Sequence, residues 1–226
     1  MRNVIAFIAV VLAAIAFTAY TSHLHPGGSA TDLEAQQNAP PPEKPVPAKP
    51  EKHALTASDL SAFTRYEKGA IKATMTIANR GSMQILLYPA ATPKTVEHIV
   101  SLCRQHFYDG LLFHRVVPGF VAQGGDPKSR GVDGASIADV PAEQTGLGQG
   151  GSGKTVPLEA TLPHTADSIG LARSQDPNSG DSQFYINLSD NHSLDGDYCV
   201  FGRIVSGSDV AAKIKQGDKI TSFTVS

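Results

Sequence analysis

The chain opens on an almost unbroken apolar run, Val4 to Tyr20, that follows Arg2. Positive charge lies only on its N-terminal side, so residues 1–20 read as a secretory signal or a membrane anchor, and everything after Tyr20 is expected to be exported. Ala14-Ile15-Ala16 offers a small-residue cleavage site, yet the apolar run continues beyond it and leaves both outcomes open. Over residues 21–53 the patterning gives way to Pro, Ala, Gly and Glu. Its stretch Pro40-Pro41-Pro42-Glu43-Lys44-Pro45-Val46-Pro47-Ala48-Lys49-Pro50 can neither pack a core nor form a helix, so an extended polyproline II tether is expected. Within residues 54–69, Leu60, Phe63 and Tyr66 fall at near-helical spacing and predict one short amphipathic helix over 58–68.

From about residue 70 to 226 the pattern is that of a folded domain. Residues 73–77 and 83–88 are strand-like, and Asn79-Arg80-Gly81-Ser82 between them supplies residues that tolerate positive φ, which predicts a hairpin. Thr92-Pro93 gives an N-cap and a first-turn proline, after which Val96, Ile99, Val100, Cys103 and Phe107 share one helical face. Short β-rich runs follow at 112–117, 121–123, 169–172, 184–187, 200–205 and 220–225. A second short helix, 208–216, turns Val210, Ala211 and Ile214 inward and stops at Gly217. Many short strands, two helices and no repeating βαβ unit predict a mainly β fold, a closed antiparallel barrel. The glycine-rich stretch 124–163 has little periodicity; in a small barrel it is tolerable if it frames a binding site.

A formal net charge of -2, with no block of like charge, argues against nucleic acid or anionic lipid as a partner. The 2 cysteines, Cys103 and Cys199, sit among apolar neighbours and read as buried thiols, with a single disulfide as the alternative in an oxidising compartment. Gly148-Gln149-Gly150-Gly151-Ser152-Gly153-Lys154-Thr155 satisfies the phosphate-loop pattern G-x-x-x-x-G-K-[ST] in full. That pattern needs a buried strand before it and a helix after it. Here Pro141-Ala142-Glu143-Gln144-Thr145 makes no strand and Pro157 and Pro163 break any helix, so a surface loop is expected. His98, His106, His114, His164 and His192 are not spaced as a metal set, and neither a metal nor a cofactor is expected.

The segment with candidate chemistry is Phe113-His114-Arg115-Val116-Val117-Pro118-Gly119-Phe120-Val121-Ala122-Gln123-Gly124-Gly125-Asp126. Strict alternation would place Phe113, Arg115 and Val117 on one face, and Pro118-Gly119 would turn the chain so that Phe120 and Gln123 return toward Arg115. A permanent cation beside an amide donor among apolar residues suits an active-site wall. Downstream stand Gly150-Gly151-Ser152-Gly153, Gly170-Leu171-Ala172-Arg173, Ser182-Gln183-Phe184-Tyr185-Ile186, Leu194-Asp195-Gly196 and Val200-Phe201-Gly202-Arg203-Ile204.

In that order these motifs resemble the cyclophilin-type peptidyl-prolyl cis-trans isomerases of bacterial exported type, over roughly residue 73 to the C-terminus. The resemblance implies an eight-stranded antiparallel barrel closed by two helices, and catalysis of X-Pro rotation during folding of exported proteins, without cofactor or metal. It implies Arg115 as the catalytic residue and Phe113, Phe120, Val121, Gln123, Ala172, Arg173, Ser174, Gln183, Tyr185, Leu194 and Tyr198 as the substrate groove. Val121 stands where many members have methionine, Tyr185 where phenylalanine is common, and Ser193 where eukaryotic members carry a tryptophan used by cyclosporin-type inhibitors. The expected partners are proline-containing polypeptides, the expected state is a monomer, and the expected location is a bacterial periplasm, either free or tethered through residues 4–20. The competing reading is a proline-peptide binding module or holdase chaperone in which turnover has no part.

Overall fold

The computed structural model describes residues 56–226, so the export segment and tether expected within residues 1–53 lie outside the described residues. The expected short helix is present as α1 (Ala57–Glu67). It starts with a reciprocal cap, in which the Asp59 amide donates to Thr56 Oγ1 and the Thr56 amide to Asp59 Oδ2, both at 3.2 Å. Phe63 anchors it in a small cluster with Tyr88, Ala91, Leu162 and Val200.

The expected hairpin is β1 (Ile71–Ile77) and β2 (Gly81–Leu87), antiparallel with Met75 opposite Met83. Its turn uses Asn79 at φ 60° and Gly81 at φ 117°, which is why asparagine and glycine stand there. The next helix, α2 (Pro93–Arg104), begins at Thr92 as expected, but the Thr92 side chain does not cap it. Glu159, from a distant loop, accepts instead: from the amides of Lys94 and Thr95 at 3.1 and 2.9 Å and from the Thr95 hydroxyl at 2.8 Å. A carboxylate there satisfies orphan amides and meets the positive end of the helix dipole. Phe107 falls outside the helix, because the chain leaves it at Gln105 and His106 takes φ 55°, and it reaches the edge of the core from a turn.

The remaining strands are β3 (Phe113–Val117), β4 (Val121–Gly124), β5 (Ser168–Leu171), β6 (Phe184–Asn187), β7 (Cys199–Ser206) and β8 (Ile220–Val225). All pair antiparallel in one 8-stranded sheet of order β3-β4-β6-β5-β7-β2-β1-β8. The two outer strands approach through the segments that flank them. Phe113 and Gly110 donate to the carbonyls of Asp218 and Ile220, and Gly217 and Ile220 donate back to Phe113 and Leu111, at 2.8–2.9 Å. Closure is therefore approximate, a curled half-barrel with an irregular seam in place of a regular ladder. The helix expected over 208–216 is a single turn, α3 (Ser208–Ala211). Val210, Ala211 and Ile214 are nonetheless buried, and Gly217 turns the chain at φ 89°.

Alternation along the strands sends one set of side chains inside. Tyr108, Phe113, Phe184 and Phe223 form the centre, with the Tyr108 ring 5.5 Å from Phe184 and 5.3 Å from Phe223. The Tyr108 hydroxyl donates to the Ser182 carbonyl at 3.1 Å, which satisfies the one polar group the ring carries inward. Cys103 and Cys199 are both buried free thiols, pushed up to about 12 by burial, so the disulfide alternative is not formed.

The long-range cap is directly testable. Glu159→Ala leaves the first-turn amides of α2 unsatisfied and is expected to destabilise the domain by about 1–2 kcal/mol. Urea denaturation reads this as a lower midpoint at unchanged slope; an unchanged midpoint would refute the cap.

Candidate active site

Phe113 pairs with Gly124 and Arg115 with Gln123, so His114 is an extra residue in β3, a β-bulge. Without it Phe113 and Arg115 would share a face, as strict alternation suggested. With it, they part. Phe113 turns into the core at 0 % exposure, edge-on to Phe184 at 6.1 Å, while Arg115 lies half-buried on the outer face beside Gln123. Phe113 therefore lines the core and not the groove, which corrects its expected place.

A row crosses the outer face from this point. Arg115 on β3 neighbours Gln123 on β4, Gln123 neighbours Tyr185 on β6, and Tyr185 neighbours Gly170 on β5. Gly170 is obligatory here, since a Cβ would come within 2.4 Å of Tyr185 Cζ; the phenol covers bare backbone. Val121 shares the face two residues along β4, opposite Asn187. Phe120 follows a tight turn in which Pro118 and Gly119, at φ 72°, hold the centre, and its amide donates to Val117 at 3.0 Å. The turn leaves Phe120 half-buried at one end of the row.

Two walls rise from the floor. On one, Gln123 Nε2 donates to Gln183 Oε1 at 3.1 Å, and Gln183 Nε2 donates to the Gly150 carbonyl at 2.8 Å. Ala172 joins this wall through its amide, which donates to the Gln183 carbonyl at 2.9 Å. On the other, Leu194 and Tyr198 flank a turn that sets the Tyr198 ring edge-on to Tyr185 at 6.2 Å. Arg173 lies 4.5 Å over Tyr198 and donates to the carbonyls of Asp197 and Ser174, at 3.0 and 2.8 Å. The Ser174 hydroxyl bonds Ser179 at 2.8 Å. These contacts make Arg173 and Ser174 braces of the groove rim.

The glycine-rich loop is the surface loop expected, and the structure adds the reason it holds no phosphate. Its amides already have anions: Gly148 and Gly150 donate to Asp126 Oδ2, and Ser152 and Gly153 donate to Asp181 at 2.9 and 3.0 Å. A Cβ at Gly150 would meet Asp126 Oδ1 at 2.0 Å, so the glycines serve close approach of these carboxylates. No strand precedes the loop and no helix follows it.

Several residues of this site meet partners that no local pattern in the sequence announces. Asp126 and Asp181 act on a loop more than twenty residues away. His164 meets the Tyr185 hydroxyl with Nε2 at 2.8 Å and Asp195 Oδ1 with Nδ1 at 2.9 Å; a search for metal spacing passes over them. A signal for the His164 contact was the tyrosine at 185, whose hydroxyl needs a partner wherever the ring is buried.

Residues 72–225 match the family described as cyclophilin type peptidyl-prolyl cis-trans isomerase/CLD. The chain belongs to this family. A probable peptidyl-prolyl cis-trans isomerase of Brucella suis is 41% identical over 151 residues, 64% of this chain and 72% of that protein. Peptidyl-prolyl cis-trans isomerase B of Bacillus subtilis is 38% identical over 141 residues, 62% of this chain and 87% of the relative. Among solved structures, a cyclophilin-type isomerase of Cryptosporidium parvum, crystallised in the presence of the dipeptide Ala-Pro, superposes with TM-score 0.56 at 22% identity, over 69% of this chain and 98% of that one. That likeness concerns the fold. The cyclophilin domain thus begins just after α1, which lies outside the matched residues.

Burial lowers the pKa of both His114 and His164, while the hydrogen bond to Asp195 raises that of His192. A histidine held neutral in the fold contributes stability that is fully present above its unfolded pKa of about 6.5 and is lost progressively as pH falls from there through the lowered folded pKa. His192 acts in the opposite sense. In His192→Asn, which removes that opposing group, stability measured by urea at pH 7.5, 6.5 and 5.5 should fall with acidification, and a rise would contradict the assignment of both buried rings as neutral.

Proposed function

We propose that this protein accelerates rotation about X-Pro peptide bonds of exported polypeptides, with Arg115 as the catalytic residue. The observation that carries the reading is the outward row of Arg115, Gln123 and Tyr185, which sets a permanent cation, an amide and an aromatic floor side by side. As a cyclophilin the protein acts on proline-containing polypeptides; the residue roles follow from the chemistry of the reaction.

Twisting a peptide bond meets a barrier of about 18–20 kcal/mol because resonance must be broken. The two X-Pro isomers differ by only about 0.5–1 kcal/mol, so the problem is kinetic. As the bond twists, the proline nitrogen regains a lone pair and becomes an acceptor. The Arg115 guanidinium donates to that nitrogen only in the twisted state, which is preferential binding of the transition state. Phe120, Val121, Leu194 and Tyr198 enclose the ring with Tyr185 beneath, and removal of water strengthens the Arg115 bond. Gln123, steadied by Gln183, is free to hold the substrate backbone through its remaining hydrogen-bonding capacity. Each 1.36 kcal/mol removed from the barrier is about tenfold in rate, so a few kcal/mol from one guanidinium accounts for orders of magnitude. The chemistry calls for no nucleophile.

The export segment within residues 4–20 and the proline-rich tether after it support a periplasmic setting, in which the tether gives the domain reach toward newly translocated chains. Mass spectrometry of the mature N-terminus distinguishes a cleaved signal from an anchor.

Arg115→Ala is expected to lower kcat/KM on an Ala-Pro peptide about a hundredfold or more, equivalent to about 3 kcal/mol of transition-state stabilisation, with the fold intact. Arg115→Lys should recover little, because an ammonium lacks the planar fork. A protease-coupled assay with near-wild-type rates for Arg115→Ala would overturn the assignment. Undiminished suppression of client aggregation by the same variant, with wild-type turnover undetectable, would favour a holdase.

A further inference from the structure

Tyr185 brings a hydroxyl to the floor of a groove that, on the reading above, receives a proline ring. That hydroxyl has a definite partner. His164, at 0 % exposure, places Nε2 2.8 Å from Tyr185 Oη, while its Nδ1 lies 2.9 Å and its backbone amide 2.7 Å from Asp195 Oδ1. Asp195 uses its other oxygen, Oδ2, toward His192 Nδ1 at 2.9 Å. The chain of bonds thus runs from the groove floor, through a sealed imidazole, to the turn that carries Leu194.

The direction of each proton follows from donor and acceptor inventory. An ionised carboxylate only accepts, so the His164 ring proton resides on Nδ1. In a neutral ring Nε2 is then an acceptor, and Tyr185 must donate to it. The phenolic hydrogen is consequently committed to His164 and is not offered to a group lying over the Tyr185 ring.

We propose that His164, held by Asp195, is a positioning residue for the isomerase site: it draws the Tyr185 hydroxyl out of the groove and keeps the floor apolar toward the substrate proline. Without that acceptor a buried phenol must find another, and the nearest supply is the substrate backbone or a water that enters with it. Either one competes with Gln123 and Arg115 for the substrate's polar groups. The inference rests on the groove assignment of the preceding section. It explains how tyrosine is accommodated at a position where a phenyl ring alone would serve.

The test is a double-mutant cycle on the full chain with an Ala-Pro peptide, using His164→Leu, Tyr185→Phe and the pair. His164→Leu alone is expected to raise KM by about fivefold or more with kcat within about twofold. Measured against Tyr185→Phe alone, the same replacement should shift KM by less than about twofold, because neither bonding partner remains. A merely structural role for His164 would give the same loss in both backgrounds, and that result would overturn the proposal. His164→Asn, whose amide still reaches Asp195 but not Tyr185, should reproduce the rise in KM if His164→Leu fails to fold. Nitrogen NMR of the unmutated protein provides an independent readout: His164 should show a protonated Nδ1 and an unprotonated Nε2, and the reverse tautomer would overturn the chain as drawn. An inactive wild type would refute the isomerase function itself and this role with it, whereas an active wild type with equal losses refutes this role alone.

Discussion

One extra residue in β3 decides which side chains of this protein serve the core and which serve the groove. Because the side-chain period of a strand is two, the bulge at His114 reverses facing between Phe113 and Arg115. Phe113 can then complete the aromatic centre with Phe184, while Arg115, two residues later, stands outside beside Gln123. A regular strand would have to bury a guanidinium or expose a phenyl ring, and burying an unpaired charge is far more costly than a register irregularity. The bulge thereby sets Arg115 in line with the row that Gln123, Tyr185 and Gly170 form on the neighbouring strands.

The second constraint is how a long, glycine-rich excursion is held without ladders of its own. Carboxylates do it. Asp126 and Asp181 gather the amides of the Gly148–Gly153 stretch, and Glu159 gathers those at the start of α2. One carboxylate can accept several amide hydrogen bonds at once and so fix the backbone around it, and three acids serve here in place of secondary structure. The same amides that make the loop look like a phosphate cradle are occupied from within the chain. Gly150 then carries its carbonyl to Gln183, and Gln183 carries its own to Gln123, so loop order and groove geometry are one hydrogen-bonded system.

Much of the domain was legible in its sequence. The hairpin, the start of α2, the short strands and α1 all rest on local chemistry: alternation of apolar residues, a proline at a first helical turn, asparagine and glycine where φ is positive. The expectation failed where a local pattern met a competing contact. The helix after Ser208 shortens to one turn while keeping its buried residues, since burial of Val210, Ala211 and Ile214 needs only a coil of suitable pitch. Thr92 sits at the right place to cap α2 but bonds Tyr88, and the cap arrives from Glu159. Alternation gives Phe113 and Arg115 one shared face, and the bulge interrupts it; the groove role that the resemblance implied for Phe113 goes with that face.

What the sequence determined by itself was the class of fold, the order of its elements and the family, because periodicity, turn residues and ordered motifs are properties of neighbours along the chain. Tertiary structure alone decided the facing of Phe113 and Arg115, the anions that fill the glycine loop, and the meeting of Tyr185, His164 and Asp195. Those depend on register between strands and on hydrogen bonds between residues 21 to 64 positions apart. No local pattern encodes them, since a hydrogen bond is satisfied by whichever group the fold brings within reach.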